Sequence, residues 1–165
     1  MLSARPKVYI IVDYNGRAPN KINEISERAA HLYAVNSKFG VEILCAGKSI
    51  DFFNEAYNKD SKYLQYCIAQ WLISLCHYDK KQHVIDAVHV GNCPKWVREI
   101  HIITSGSFLK DVLEGNNPCN FPENIPIKFY KFHEDEQGNR YFTRFLDKFN
   151  DKFGLSVYNL ESKEL

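Results

Sequence analysis

Two groups of short polar side chains interrupt a chain otherwise rich in apolar runs. Asp13, Asn15 and Arg17 follow Lys7-Val8-Tyr9-Ile10-Ile11-Val12, and Thr104, Ser105 and Ser107 follow Glu99-Ile100-His101-Ile102-Ile103. Together they supply a carboxylate, an amide, a guanidinium and hydroxyls, a set suited to hydrogen-bonding another polar group. The plainest role for Asp13 is local, capping the ends of the strands through backbone hydrogen bonds.

Other constellations are weaker. Cys76, His77, His83, His89 and Cys93 gather within a short stretch, but no C-x-x-C or H-x-x-x-H pair gives them zinc-ligand spacing. Cys93 and Cys119 lie in Pro-containing segments without the strand-to-helix turn that poises a nucleophilic thiol. Gly47-Lys48-Ser49 has the ending of a phosphate loop without its preceding glycine. The acidic run Glu134-Asp135-Glu136 reads as a solvated loop, and the aromatic series from Tyr141 to Phe153 reads as core.

The elements around these residues alternate. The first run has no polar alternation, the habit of a strand buried on both faces of a parallel sheet. A helix is expected from Pro19 to about Lys38, with Ile22, Ile25, Ala29, Leu32 and Tyr33 on one face, then a strand over Val41 to Gly47. Ile50 to Tyr57 is a short apolar piece without a clear type. A helix capped by Asp60 or Ser61 follows, with Leu64, Cys67, Ile68, Trp71, Leu72, Leu75 and Cys76 at helical spacing. Strands are expected at His83–Val90, Glu99–Gly106, Ile125–Phe132 and Leu155–Leu160. Helices are expected at Phe108–Glu114 and, after a turn at Gln137-Gly138, over Tyr141 to Phe153. This order implies a three-layer α/β/α, Rossmann-like, doubly wound and mostly parallel sheet. Sites in such sheets form beyond the carboxyl ends of the strands, so residues 13–17 and 104–107 face each other if both strands are central.

Bulk properties narrow the classes. The chain has 165 residues, enough for one domain with a real core, and no repeat or linker divides residues 1–165. Hydrophobic content of 45% and charged content of 25% are ordinary for a globular domain. A formal charge of +1 gives no electrostatic reason to expect nucleic acid or an acidic membrane as partner. No apolar run approaches the roughly 20 residues of a spanning helix, and residues 1–6 lack signal-peptide architecture. Five cysteines in no paired spacing argue against a disulfide framework, and Cys45, Cys67 and Cys76 read as small core residues. A cytoplasmic or nuclear location is expected.

Over most of its length the chain resembles a von Willebrand factor A-type domain. Val12-Asp13-Tyr14-Asn15-Gly16-Arg17 stands where that family has its D-x-S-x-S loop, and Phe39-Gly40-Val41-Glu42-Ile43-Leu44 is similar to its second strand. Glu99 to Gly106 stands where the family has a strand ending T-D-G. Ile127-Lys128-Phe129-Tyr130-Lys131-Phe132, an acidic loop and Phe145-Leu146-Asp147 resemble its last core strand, loop and helix. The resemblance implies strand order 3-2-1-4-5-6 with one short antiparallel edge strand, which His83–Val90 fits awkwardly. It also implies a divalent-cation site that receives an acidic group from a protein partner. Carried over, Asp13 keeps the first ligand and Asn15 replaces the first serine, while Arg17 occupies the second serine's place. Ser105 stands in place of the aspartate, and Ser61 or Asp60 supplies the threonine loop. With Arg17 present, the cation site is degenerate, Mg²⁺ or Mn²⁺ is held weakly if at all by Asp13 and Asn15, and a partner's carboxylate pairs with guanidinium. The reading is a non-catalytic protein–protein interaction module with Asp13, Asn15, Arg17, Ser61, Thr104, Ser105 and Ser107 as its surface.

The same start also resembles the D-x-N of NYN and PIN-like nucleases. That resemblance implies metal-dependent ribonuclease chemistry carried by Asp13, Asp86 and Asp111. Thr104-Ser105-Gly106-Ser107-Phe108-Leu109 lacks both aspartates of that family's S-G-D-S-D-F segment, which implies a nuclease impaired or inactive.

Overall fold

The computed structural model describes residues 7–13, 21–45, 48–50, 61–75, 97–106, 108–114, 121–122, 124–132 and 136–160. Among the described residues six strands form one sheet: β1 (Lys7–Val12), β2 (Val41–Cys45), β3 (Lys48–Ile50), β4 (Val97–Thr104), β5 (Ile127–Lys131) and β6 (Leu155–Asn159). Their spatial order is β3-β2-β1-β4-β5-β6. All neighbours pair in parallel except β3, which runs antiparallel to β2 with Ile43 opposite Ile50 and Cys45 opposite Lys48.

Four α-helices among the described residues sit on the two faces: α1 (Ile22–Asn36), α2 (Ser61–Ser74), α3 (Leu109–Leu113) and α4 (Glu136–Phe149). Strand alternation sorts the core into two halves. Val8, Ile10 and Val12 of β1 meet Ile25, Ala29 and Tyr33 of α1 and Leu64, Ile68 and Leu72 of α2. Tyr9 and Ile11 face the other way, toward Leu109 and Val112 of α3 and Phe142 and Phe145 of α4. The fold is therefore a doubly wound, Rossmann-like α/β sheet covered on both faces. Among the described residues no helix is long and apolar enough to cross a membrane.

Several elements differ from the sequence reading. Lys48–Ile50 is a strand, paired antiparallel to β2 with Cys45 opposite Lys48. Three residues are too short to show a period in sequence. The expected turn at Gln137-Gly138 is the first turn of α4, which begins at Glu136. Glycine costs about 1 kcal/mol in a helix interior, and the strongly one-sided apolar face of Phe142, Phe145 and Phe149 outweighs it. β4 starts at Val97, two residues before the expected Glu99, and ends at Thr104. α1 is followed by a 3₁₀ turn over Ser37–Phe39, which Gly40 ends at φ 82°, a conformation that favours glycine. The expected strand at His83–Val90 lies outside the described residues.

Candidate functional site

β1 is central, and the chain leaves it toward β2 on one side and meets β4 on the other. The carboxyl ends of β1 and β4 are therefore the switch point of the sheet, the place where sites in such sheets form. Asp13 is the residue just beyond β1, and Thr104 is the last residue of β4.

The two are joined. Asp13 N–H donates to Ile103 O at 2.8 Å, continuing the parallel ladder one step past β1. Thr104 Oγ1 then donates to Asp13 Oδ2 at 2.7 Å, a short bond of the charge-assisted kind. The hydroxyl also accepts: Gly106 N–H reaches Thr104 Oγ1 at 2.9 Å. Gly106 adopts φ 92°, which turns its N–H back onto the hydroxyl, and a side chain there would strain the backbone. Gly106 O accepts from Leu109 N–H at 3.0 Å, so this turn runs directly into α3. Thr104 O accepts from Phe132 N–H at 3.1 Å, which anchors β4 to the end of β5. Thr104 is fully buried, Ser105 buried and Asp13 half-buried.

The hydroxyl of Thr104 has one proton to donate, and Asp13 accepts that hydrogen bond. The pair is a rigid acceptor held at the top of two adjacent strands. Among the described residues the charge at this point is the one Asp13 carboxylate, one of whose oxygens accepts from Thr104, and Ser105 adds a hydroxyl and no second charge. Among the described residues no group of three or more His, Cys, Asp or Glu side chains is placed to hold a metal ion.

Of the other expected site residues, Ser61 opens α2 and Asp111 lies in α3, with their side chains outside the described residues. Gln65 Nε2 donates to Asn23 O at 3.4 Å, which sets the first turns of α2 and α1 side by side at the Asp13 end of the sheet. Asn15, Arg17, Ser107 and Asp86 lie outside the described residues, as do Cys76, His77, His83, His89, Cys93 and Cys119. Cys45 is buried and Cys67 half-buried.

A second polar cluster escaped the sequence reading. His101 of β4 is 2% exposed, and its Nδ1 lies 2.9 Å from the Tyr130 hydroxyl of β5. Its Nε2 has no hydrogen-bond partner and stands 3.9 Å from Glu99 Oε1, which instead pairs with Lys128 Nζ at 3.0 Å. Burial pulls the His101 pKa down to about 4 against the attraction of Glu99, and Lys128 lowers it further. The 3.9 Å contact is thus between a neutral imidazole and a carboxylate. Burial likewise raises the Tyr130 pKa, Arg28 opposing. Arg28 Cζ lies 5.1 Å from the Tyr130 ring centroid, and its Nη2 donates to Leu160 O at 3.4 Å. The available signal was the period-2 spacing of Glu99 with His101 and of Lys128 with Tyr130, which puts polar groups on one face of two strands.

No protein family, curated protein or solved structure matches this chain.

Proposed function

We propose that this chain is a non-catalytic protein-interaction module resembling an A-type domain, with a degenerate cation site at its strand-end crevice. The observation that carries the reading is the Thr104–Asp13 hydrogen bond at the junction of β1 and β4. The sheet order, with a short antiparallel β3 at one edge, supports it. Asp13, Thr104 and Ser105 are the described part of the proposed surface, and the family resemblance assigns Asn15, Arg17, Ser61 and Ser107 to it as well. A partner's carboxylate pairs with the Arg17 guanidinium where a bridging metal would otherwise stand.

The test restores the missing chemistry. R17S/S105D replaces a cation with a hydroxyl and adds a second carboxylate, so millimolar Mg²⁺ or Mn²⁺ should raise the melting temperature of the double variant and leave the starting chain unchanged. No cation-dependent rise in the double variant would remove the reading. Manganese-dependent cleavage of single-stranded RNA, lost in D13A, would replace it with the nuclease reading.

A further inference from the structure

The two edges of the sheet are built differently. β3 is three residues long, antiparallel, and begins with Lys48. Shortness and edge charge are usual guards against pairing with another chain. β6 has neither. Leu155-Ser156-Val157-Tyr158-Asn159 carries no charge and no proline, and it pairs with β5 in unbroken register.

Its outward groups can be read from its inward ones. Ile127 N–H donates to Gly154 O at 2.9 Å, and Leu160 N–H donates to Lys131 O at 2.8 Å. In a parallel pair alternate residues turn both backbone groups to the same side. Residues 154, 156, 158 and 160 therefore face β5, and the N–H and C=O groups of Val157 and Asn159 point out of the sheet. Among the described residues no strand pairs with them.

A ring column ends at the same edge. His101 stacks on Tyr130 with centroids 5.7 Å apart and planes at 25°, and Tyr130 stacks on Tyr158 at 5.5 Å and 20°. The column crosses β4, β5 and β6 in turn and stops at half-exposed Tyr158.

We propose that β6 pairs antiparallel with β6 of a second copy of this chain, with Tyr158 facing its own counterpart across a twofold axis. In that register Val157 and Asn159 exchange backbone hydrogen bonds with Asn159 and Val157 of the other copy, and the ring column runs on into the second sheet. A second copy fits this edge better than a charged peptide. An uncharged strand opposes no like charges when paired with itself, and a twofold sets one ring against the same ring. An acidic or basic peptide would find no complement on β6.

Sedimentation velocity on the full chain tests this from low to high micromolar concentration. The expected result is a monomer that becomes a dimer as concentration rises. Y158F should dimerise like the starting chain. Y158K and Y158E should each stay monomeric, and an equimolar mixture of the two should regain the dimer mass. N159P removes an outward N–H and no bond to β5, so it should be monomeric, with the melting curve of the starting chain at concentrations where that chain is itself a monomer. It carries the test if a Tyr158 charge variant melts early. A single monomer mass at every concentration, or a dimer that survives N159P, overturns the proposal. These outcomes do not touch the crevice, so they are independent of the cation test.

Discussion

β4 and β5 present two unlike surfaces to the helices on either side. Toward α3 and α4 they show Ile100, Ile102, Ile127 and Phe129, which meet Phe121, Phe142, Phe145 and Phe153. These rings tilt or meet edge to face, as with Phe129 and Phe142 at 84°, the arrangement that quadrupoles favour. Toward α1 the same strands show Glu99, His101, Lys128 and Tyr130, with Arg28 arriving over the Tyr130 ring. Here the rings lie nearly parallel and each carries a polar atom. One face is held by close packing, which is insensitive to pH. The other is held by specific hydrogen bonds and by keeping an imidazole neutral, so it responds to protons.

The largest expected effect lies on the phenylalanine face. Phe145 is fully buried and touches the Phe121, Phe129 and Phe149 rings. Phe145→Ala should cost about 3–5 kcal/mol of unfolding free energy, equally at pH 5 and pH 7. A strongly pH-dependent loss in denaturant titrations would break the contrast between the faces.

Next comes acid sensitivity of the polar face. His101 titrates near 6.5 in the unfolded chain and near 4 in the fold. Between those values the unfolded state binds more protons, so stability is complete above about pH 6.5 and falls as pH drops toward 4. The loss assignable to His101 is about 3 kcal/mol, as an order of magnitude. His101→Phe should flatten that part of the stability–pH curve, measured by urea unfolding at stepped pH. A curve with the same slope in the variant would show that His101 is not the responding group.

The smallest effect separates the hydrogen bond from the charge. Tyr130→Phe leaves His101 Nδ1 without its 2.9 Å partner and should cost about 1–2 kcal/mol. The acid slope should persist in Tyr130→Phe, since burial of His101 is its main cause. Loss of the slope would assign it to the phenol instead.

The crevice was legible because strand ends are locally marked. Val12-Asp13 and Thr104-Ser105-Gly106 each switch from apolar to small polar residues in one step, and a sheet reading then places both at its carboxyl end. That the Thr104 hydroxyl donates a hydrogen bond to Asp13 was not legible, since 91 positions separate them in sequence. The His101–Tyr130 contact was hidden for another reason. Inside an apolar strand, one histidine and one tyrosine look like ordinary half-buried residues until the register of β4 on β5 sets them diagonally adjacent.

By itself the sequence determined the types of the longer described elements and their alternation, because apolar periodicity and β-branched runs are local properties of the chain. It also determined that the polar groups would fall at strand ends. The tertiary structure alone decided which ends are neighbours, that a three-residue segment closes one edge while an unguarded strand closes the other, and which polar side chains are buried together. Those outcomes depend on strand order and register, which are set by long-range packing of two helical layers against one sheet and leave no mark within any single window of residues.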